Sequence, residues 1–475
     1  MPAFADIPAP GSGLSAVGEA RLVPVESTRV ALPWCPGHQL AIAEFRAPGH
    51  DGPWECCPRS ALRNTLRLLL DNFGLELKVG FEVEFLLLER AEPGHEATRE
   101  GGSLDRSGWR PVDRSLYSQS SALDRHAEVL DEMVGSLEAM GIGVVQWHAE
   151  SAPGQFEIAL QYGDALTAAD QLLLAKEAIV GVAGRRDLAV SFLPKPRAGA
   201  AGNGCHAHFS LWKDGKPHMA VPSPTGTSFS AAGDSIIAAA TLATAAYTYT
   251  SGQSSSFSSS FSGPHPPIVD PHHVPAAASS AAADQGGFGP RLVPAPAMLC
   301  FLAGVLAAME VLLPFTAPCP NSYERLQPGG WAGAHVAWGY NNREAPLRVT
   351  APGPGRLGDM HIEFKAIDGS ANPYIALSAI TVAGMLGIFA NLSPPEPCQV
   401  PPDELQPEAA ARLGVKPLPG SLAEALARIR KAEPFRAAMA EAIGAPLLQA
   451  HLAVRAAEAD HAERDTPADL LLRYS

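Results

Sequence analysis

Hydrophobic and polar positions along this chain follow two periods, and each period predicts a different element. From Val79 to Glu89 polar and apolar residues alternate and then give way to a continuous apolar run, which predicts a strand. Glu82 and Glu84, two positions apart within it, face the same side. Leu123, Ala127, Leu130, Val134 and Leu137 recur every three or four residues and predict a helix, with Gly141 as its stop. Strands are predicted from Ile142 to Trp147, Gln155 to Leu160, Leu188 to Leu193, His206 to Trp212 and His361 to Lys365. A turn at Ser151 to Gly154 brings Glu150 and Glu157 to one end of a hairpin. Helices are predicted from Pro58 to Leu70, Met298 to Leu313 and Pro373 to about Phe389, and through the alanine- and leucine-rich C-terminal stretch. Another runs to about Gly184 from Thr167 and Asp170, a pair that resembles a capping box. Short β-type runs occupy residues 22 to 46.

Residues 213 to 286 break both periods. Ser251 to Ser262 reads SGQSSSFSSSFS, and the alanine-, proline- and histidine-rich stretch to Ala283 has too little aliphatic content for a core. A disordered insertion in a surface loop is expected there. Ala297 to Leu313 and Tyr374 to Ala390 are the most apolar runs, but Gly304, Glu310, Ser378 and Gly384 interrupt them. Both fall short of the roughly 20 apolar residues of a membrane span. Buried helices and no membrane association are expected.

Composition narrows the function classes. At 475 residues the chain is long enough for two domains, and 49 acidic against 35 basic residues leave a net charge of -14. That charge argues against nucleic acid as a partner. Seven scattered cysteines without a C-x-x-C pair suit free thiols in a reducing compartment, the cytoplasm. The start of the chain carries prolines and Asp6 where an export signal needs a basic end and an apolar core.

The chemistry lies in acidic residues placed inside apolar segments: Glu82, Glu84, Glu150, Glu157 and Glu363, with His206. Two carboxylates 4 Å apart repel by about 4 kcal/mol at an effective dielectric near 20, so such a set needs a counter-cation. Oxygen ligands with a single imidazole suit magnesium or manganese better than zinc. Taken singly, each residue has a plainer reading: an exposed strand face for Glu82 and Glu84, a hydrogen-bonded histidine for His206. Arg325, Arg343 and Arg348 lie among Gly329, Gly330 and Gly333 in a loop-like segment, and arginine clamps phosphate or carboxylate. Solvated salt bridges are the plainer alternative. Metal on one side and arginine on the other imply a phosphoryl donor. G-x-x-x-x-G-K-[ST] is absent, and AGNGCH at 201 to 206 precedes a strand instead of linking strand to helix.

Six ordered motifs resemble the glutamine synthetase family: VGFEVEF at 79 to 85, WHAESAPGQFEI at 147 to 158, NGCHAHFSL at 203 to 211, NSYERLQPG at 321 to 329, NNREAPLR at 341 to 348 and IEFKAIDGSANPY at 362 to 374. The resemblance implies an α+β fold, with a truncated N-terminal β-grasp domain and linker in residues 1–70. A catalytic domain of curved antiparallel sheet and surrounding helices would fill 71–475, interrupted by the insertion at about 213–286. It further implies that Glu84, Glu150 and Glu157 hold one divalent ion and Glu82, His206 and Glu363 another, with two or three Mg2+ or Mn2+ ions per site. His208, Ser210, Arg343 and Arg348 match ATP-binding positions, the two arginines also catalytic ones. Asn203, Gly204, Arg325 and Lys365 match the glutamate site. The implied reaction is ATP-dependent amide formation from the glutamate γ-carboxylate and ammonia or a primary amine, in a homo-oligomeric ring.

Departures from the family pattern bear on the acceptor. Trp331 stands where the family has the flap glutamate that binds ammonium, and Lys365 replaces an arginine. These features are similar to the FluG-like branch and to synthetases that use amines other than ammonia. The first residues resemble the second half of the β-grasp domain, and Asp6 is a candidate for its ammonium-site aspartate. A non-catalytic scaffold or regulator of the same fold is the alternative expectation.

Overall fold

The structure, a computed structural model, describes residues 2–47, 49, 52–91, 108–115, 117–197, 199–222, 292–350 and 359–462. Seven strands carry the chemistry: β1 (Glu76–Arg90), β2 (Val144–Ala149), β3 (Gln155–Leu160), β4 (Cys205–Lys213), β5 (Trp338–Tyr340), β6 (Leu347–Thr350) and β7 (His361–Phe364). They lie in the order β5-β6-β7-β4-β1-β3-β2 within one sheet. Each neighbouring pair is antiparallel except β5 and β6, which run parallel. The fold is α+β, as expected, with that one pair departing from an antiparallel sheet.

Side-chain alternation divides the sheet into an apolar and a polar face. Along β4, Cys205, Ala207, Phe209 and Leu211 are buried on one side, while His206, His208 and Ser210 take the other. The apolar side packs on the Pro296–Thr316 helix, where the rings of Phe209 and Phe301 stand 5.7 Å apart. That helix is long and apolar enough to cross a membrane, yet 72% of its most apolar window is buried inside the fold. It is a core helix.

Its partner is the Pro373–Phe389 helix, and the two meet through glycines. A Cβ on Gly304 would come within 2.2 Å of the Ala383 carbonyl oxygen, and one on Gly387 within 2.1 Å of the Cys300 carbonyl oxygen. Gly304, which interrupts the apolar pattern, and Gly387 are thus where the two backbones touch.

Two expectations are corrected. The helix after β3 starts at Ala165 and gains no side-chain cap, so Thr167 and Asp170 do not form a capping box. Asp170 instead lies buried and accepts hydrogen bonds from Arg59 and from the Tyr374 hydroxyl, and Arg59 also pairs with Glu44. The irregular segment also begins later than residue 213. Asp214 and Gly215 both have positive φ, the conformation of a two-residue hairpin turn, and they fold Lys216–Pro217 back onto β4. Ala220–Pro222 then pairs with Leu292–Pro294. The rest of the expected insertion, residues 223 to 286, lies outside the described residues.

The N-terminal segment is held by the C-terminal helix Ala445–Ala462. The Ala3 amide donates to Glu458, Phe4 stacks on His461 at 3.9 Å, and Gln449 donates to the Gly11 carbonyl. Asp6 belongs to this segment. Further on, Arg21–Pro24 pairs with Ala43–Arg46, and the Glu44 to Arg59 ion pair ties that ribbon to the Pro58–Phe73 helix.

The same C-terminal helix completes the end of the core helix. The Pro314 carbonyl has no intrahelical donor four residues on, because Pro318 lacks an N–H. His451 Nε2 lies 2.8 Å from it and its ring stacks on Phe315. A carbonyl only accepts, so Nε2 carries the proton. Burial, aided by Arg455, pushes the His451 pKa down to about 3. An unfolded histidine takes up its second proton near pH 6.5, so acidification between about 6.5 and 3 favours the unfolded chain. Melting temperature should therefore fall across that window, and His451→Gln, a neutral donor, should melt with a shallower dependence on pH; parallel curves would refute the assignment.

Candidate active site

Strand register alone assembles the polar face. Across β4 and β1, His206 stands opposite Glu82; across β1 and β3, Glu84 stands opposite Glu157; across β3 and β2, Glu157 stands opposite His148. On the other side of β4, His208 faces Glu363 of β7, and Glu363 faces Arg348 of β6. Directly opposed residues in antiparallel strands have Cβ atoms about 5 Å apart, so the register places ionisable groups from six strands in one field.

Contacts within that field are short. His206 Nδ1 lies 3.2 Å from Glu82 and 3.5 Å from Glu363, and its Nε2 lies 3.6 Å from Glu84. His208 Nε2 is 3.1 Å from Glu82, and Arg348 Nε is 2.8 Å from Glu363. Glu84 Oε2 accepts from the Gly204 amide at 2.9 Å and from Gln155 at 3.1 Å. Three sets have ligand atoms mutually within 4.8 Å: Glu82, His208 and Glu363; Glu82, Glu157 and His206; His148, Glu150 and Glu157.

The charges are unevenly matched. Burial raises the Glu157 pKa, and Glu82, Glu84, Glu150 and Glu363 add repulsion that takes it to about 10. Glu84 is also raised, chiefly by burial. For Glu82 burial acts upwards, but His206 and His208 outweigh it and the pKa falls below the usual carboxylate range. Glu363 behaves likewise: burial is outweighed by Lys365, His208, His206 and Arg348. Hydrogen bonding to Glu150 raises His148 against the effect of its burial.

Each expected site residue has a definite place. Asn203 is buried and spends its amide on the carbonyls of Ser191 and Leu193, while its oxygen accepts from Gln155. Gly204 has no room for a side chain, since a Cβ would stand 2.6 Å from both Arg325 Nη2 and His206 Nε2. Arg325 is buried, donates to the carbonyls of Lys365 and Ile367, and places Nη2 3.1 Å from His206 Nε2. Ser210 accepts from the Trp212 indole. Arg343 is exposed on the turn before β6.

Lys365 is buried, with Nζ donating to the carbonyls of Trp331 and Arg343 at 2.9 and 2.8 Å. It thereby ties two loops together, and burial lowers its pKa. Trp331 itself is 55% exposed and adopts a φ of 52°, a left-handed conformation unusual for a bulky residue.

Two participants were not anticipated. His148 lies on β2 two residues before Glu150, a signal hidden because the predicted strand ended at Trp147 while β2 runs to Ala149. Gln155, only 2% exposed, donates to Glu84, to the Gly202 carbonyl and to Asn203, and accepts from the Ala152 amide. It joins the Glu150–Glu157 turn to β1.

Comparison with known proteins converges on one family. The sequence matches the family described as glutamine synthetase, catalytic domain, over residues 55–257 and 292–473. It is 27% identical over 387 residues to type-1 glutamine synthetase 1 of Dictyostelium discoideum, covering 80% of this chain and 64% of that protein. Identity with the gamma-glutamylpolyamine synthetase of Streptomyces coelicolor is 30% over 447 residues, covering 94% of this chain and 78% of that protein. For the glutamine synthetase of Methanocaldococcus jannaschii it is 29% over 442 residues, covering 92% and 79%. The chain thus spans just under two thirds of the first of these relatives. In fold, the solved ADP complex of GmaS aligns with a TM-score of 0.67 at 24% identity, covering 95% of this chain and 85% of that one. A solved glutamine synthase homolog gives 0.67 at 23% identity, covering 98% and 86%.

The raised Glu157 pKa has a measurable consequence. Without a bound cation the folded protein holds this proton up to about pH 10, whereas the unfolded chain releases it near 4.5. Stability contributed by the protonated form is therefore lost as pH rises through that window. Metal-free Glu157→Gln should melt above metal-free wild type at pH 8, with the gap closing towards pH 5; equal melting at both pH values would refute the buried repulsion.

Proposed function

The chain belongs to the glutamine synthetase family, and on that premise we propose that it is an ATP-dependent ligase joining the glutamate γ-carboxylate to an amine through a γ-glutamyl phosphate. The carrying observation is the row of opposed carboxylates and imidazoles on the polar face of the sheet. Divalent cations fit this row. Ligand-type atoms cluster within 4.8 Å, Glu157 has its pKa raised by burial and by four other carboxylates, and Glu363 Oε2 and His208 Nε2 are buried without an aligned hydrogen bond among the described residues.

On this reading Glu84, Glu150 and Glu157 hold one magnesium or manganese ion, and Glu82, His206 and Glu363 the other. Such ions supply charge neutralisation at the phosphate oxygens of ATP. Arg348, held against Glu363, and Arg343, exposed on the adjoining turn, bring positive charge to the phosphoryl group in flight. His208 and Ser210 continue the same strand face towards the nucleotide. At the glutamate end, Arg325 presents its guanidinium between His206 and the end of β7. Asn203, Gly204 and Lys365 spend their donors on the protein and so act by positioning.

Trp331 supports a primary amine, in preference to ammonia, as acceptor. Its exposed ring offers an apolar wall and a π face to an alkylammonium, where a glutamate would offer a charge to ammonium. Lys365 anchors its backbone beside the Arg343 turn.

A phosphate-release assay with ATP, magnesium, glutamate and a panel of ammonia, alkylamines and polyamines checks this, with the γ-glutamyl product identified by mass spectrometry. Release should require glutamate, run faster with a primary amine than with ammonia, and fall by about 100-fold in Glu363→Gln. Trp331→Glu should shift preference towards ammonia. No release with any acceptor would refute the ligase and favour a non-catalytic role for the fold.

A further inference from the structure

We propose that His148 is a direct ligand of the ion held by Glu150 and Glu157, making this an imidazole-containing site. The inference rests on the metal-dependent reading above and goes beyond it, because it adds a nitrogen ligand to a set composed of carboxylates alone. His148 lies on β2 opposite Glu157 of β3. Its Nε2 is 3.1 Å from Glu150 Oε1 and its Nδ1 is 3.9 Å from Glu157 Oε1. Atoms bound to one ion at about 2.1 Å stand roughly 3 Å apart when adjacent, which is the Nε2 to Glu150 separation, and one ligand atom each from His148, Glu150 and Glu157 lies within 4.8 Å of the other two.

The surrounding hydrogen bonds single out the same atoms. Glu150 Oε2 accepts from the Ser151 amide at 2.9 Å, which leaves Oε1 turned to His148. Glu157 is 4% exposed, and His148 Nδ1 lies 3.9 Å from its Oε1. This is a buried carboxylate in the cluster with no hydrogen bond among the described residues. Glu84, by contrast, has Oε2 tied to the Gly204 amide and to Gln155, and its Oε1 faces His206. The residue grouped with Glu150 and Glu157 by distance is therefore His148, with Glu84 reaching the ion only through its second oxygen. Tyr117 packs edge-on against the His148 ring at 5.6 Å and limits its rotation.

A nitrogen ligand changes which ion the site prefers. Magnesium takes oxygen ligands in near-octahedral shells, whereas imidazole raises affinity for first-row transition ions. The Glu150–Glu157 site should thus favour manganese over magnesium more strongly than an all-carboxylate site would.

Pulsed electron paramagnetic resonance of the full chain loaded with Mn2+ tests this without any turnover. In the wild-type protein each of two bound Mn2+ ions should show coupling to an imidazole nitrogen. His148→Asn should remove the coupling from one ion and weaken its binding by about tenfold or more, with a smaller loss for Mg2+. An ion lacking nitrogen coupling in the wild type, or couplings and affinity unchanged in His148→Asn, would overturn the proposal and leave His148 a hydrogen-bond partner of Glu150. Failure of wild-type protein to bind any Mn2+ would instead overturn the metal-dependent reading itself, and this inference with it.

Discussion

Mutual repulsion among carboxylates that the sheet forces together is the constraint on which the rest of the structure depends. Glu82 and Glu84 on β1 project towards Glu157 on β3 and towards the β4 and β7 groups, and no rotation of a loop can relieve them because strand pairing sets their positions. A slip of one residue would send both glutamates into the apolar layer beneath, so the hydrophobic face keeps the charged face in register. Partial relief comes from His206, His208, Arg348 and Lys365 on the β6, β7 and β4 side. Relief is poorest at Glu157, on the opposite side, which is where a cation is most needed.

Much of the fold was legible because burial leaves a periodic mark. β1, β3, β4 and the Pro373–Phe389 helix follow the apolar pattern closely. Glu82 and Glu84 share a face because a strand has period two, and Glu150 and Glu157 meet because their turn is short. What escaped was set by partners distant in sequence. Asp170 looks like a local cap, but its partners are Arg59 and Tyr374, from two other helices. The Asp214–Gly215 turn did carry a local signal, hidden by the low-complexity sequence that follows. His148 was lost through a strand end misplaced by two residues, which suffices to remove a side chain from a face.

Commitment of donors separates the residues around the site by role. Asn203, Gln155 and Lys365 resemble binding residues by type, yet each directs its hydrogen bonds chiefly to backbone carbonyls or to neighbouring side chains of the protein. They make a rigid frame that determines where Glu84 and His206 point, and such frames govern precision at a charged centre. Trp331 and Arg343 are the exposed counterparts, joined at their backbones by the single Lys365 ammonium.

The pairing of Ala220–Pro222 with Leu292–Pro294 acts as a stem that brings the two ends of a long excursion side by side. The stem works as a clasp: it ties Leu292–Pro294, which leads directly into the Pro296–Thr316 core helix, to the segment after the β4 hairpin, so the start of that helix is set beside β4 and its histidines.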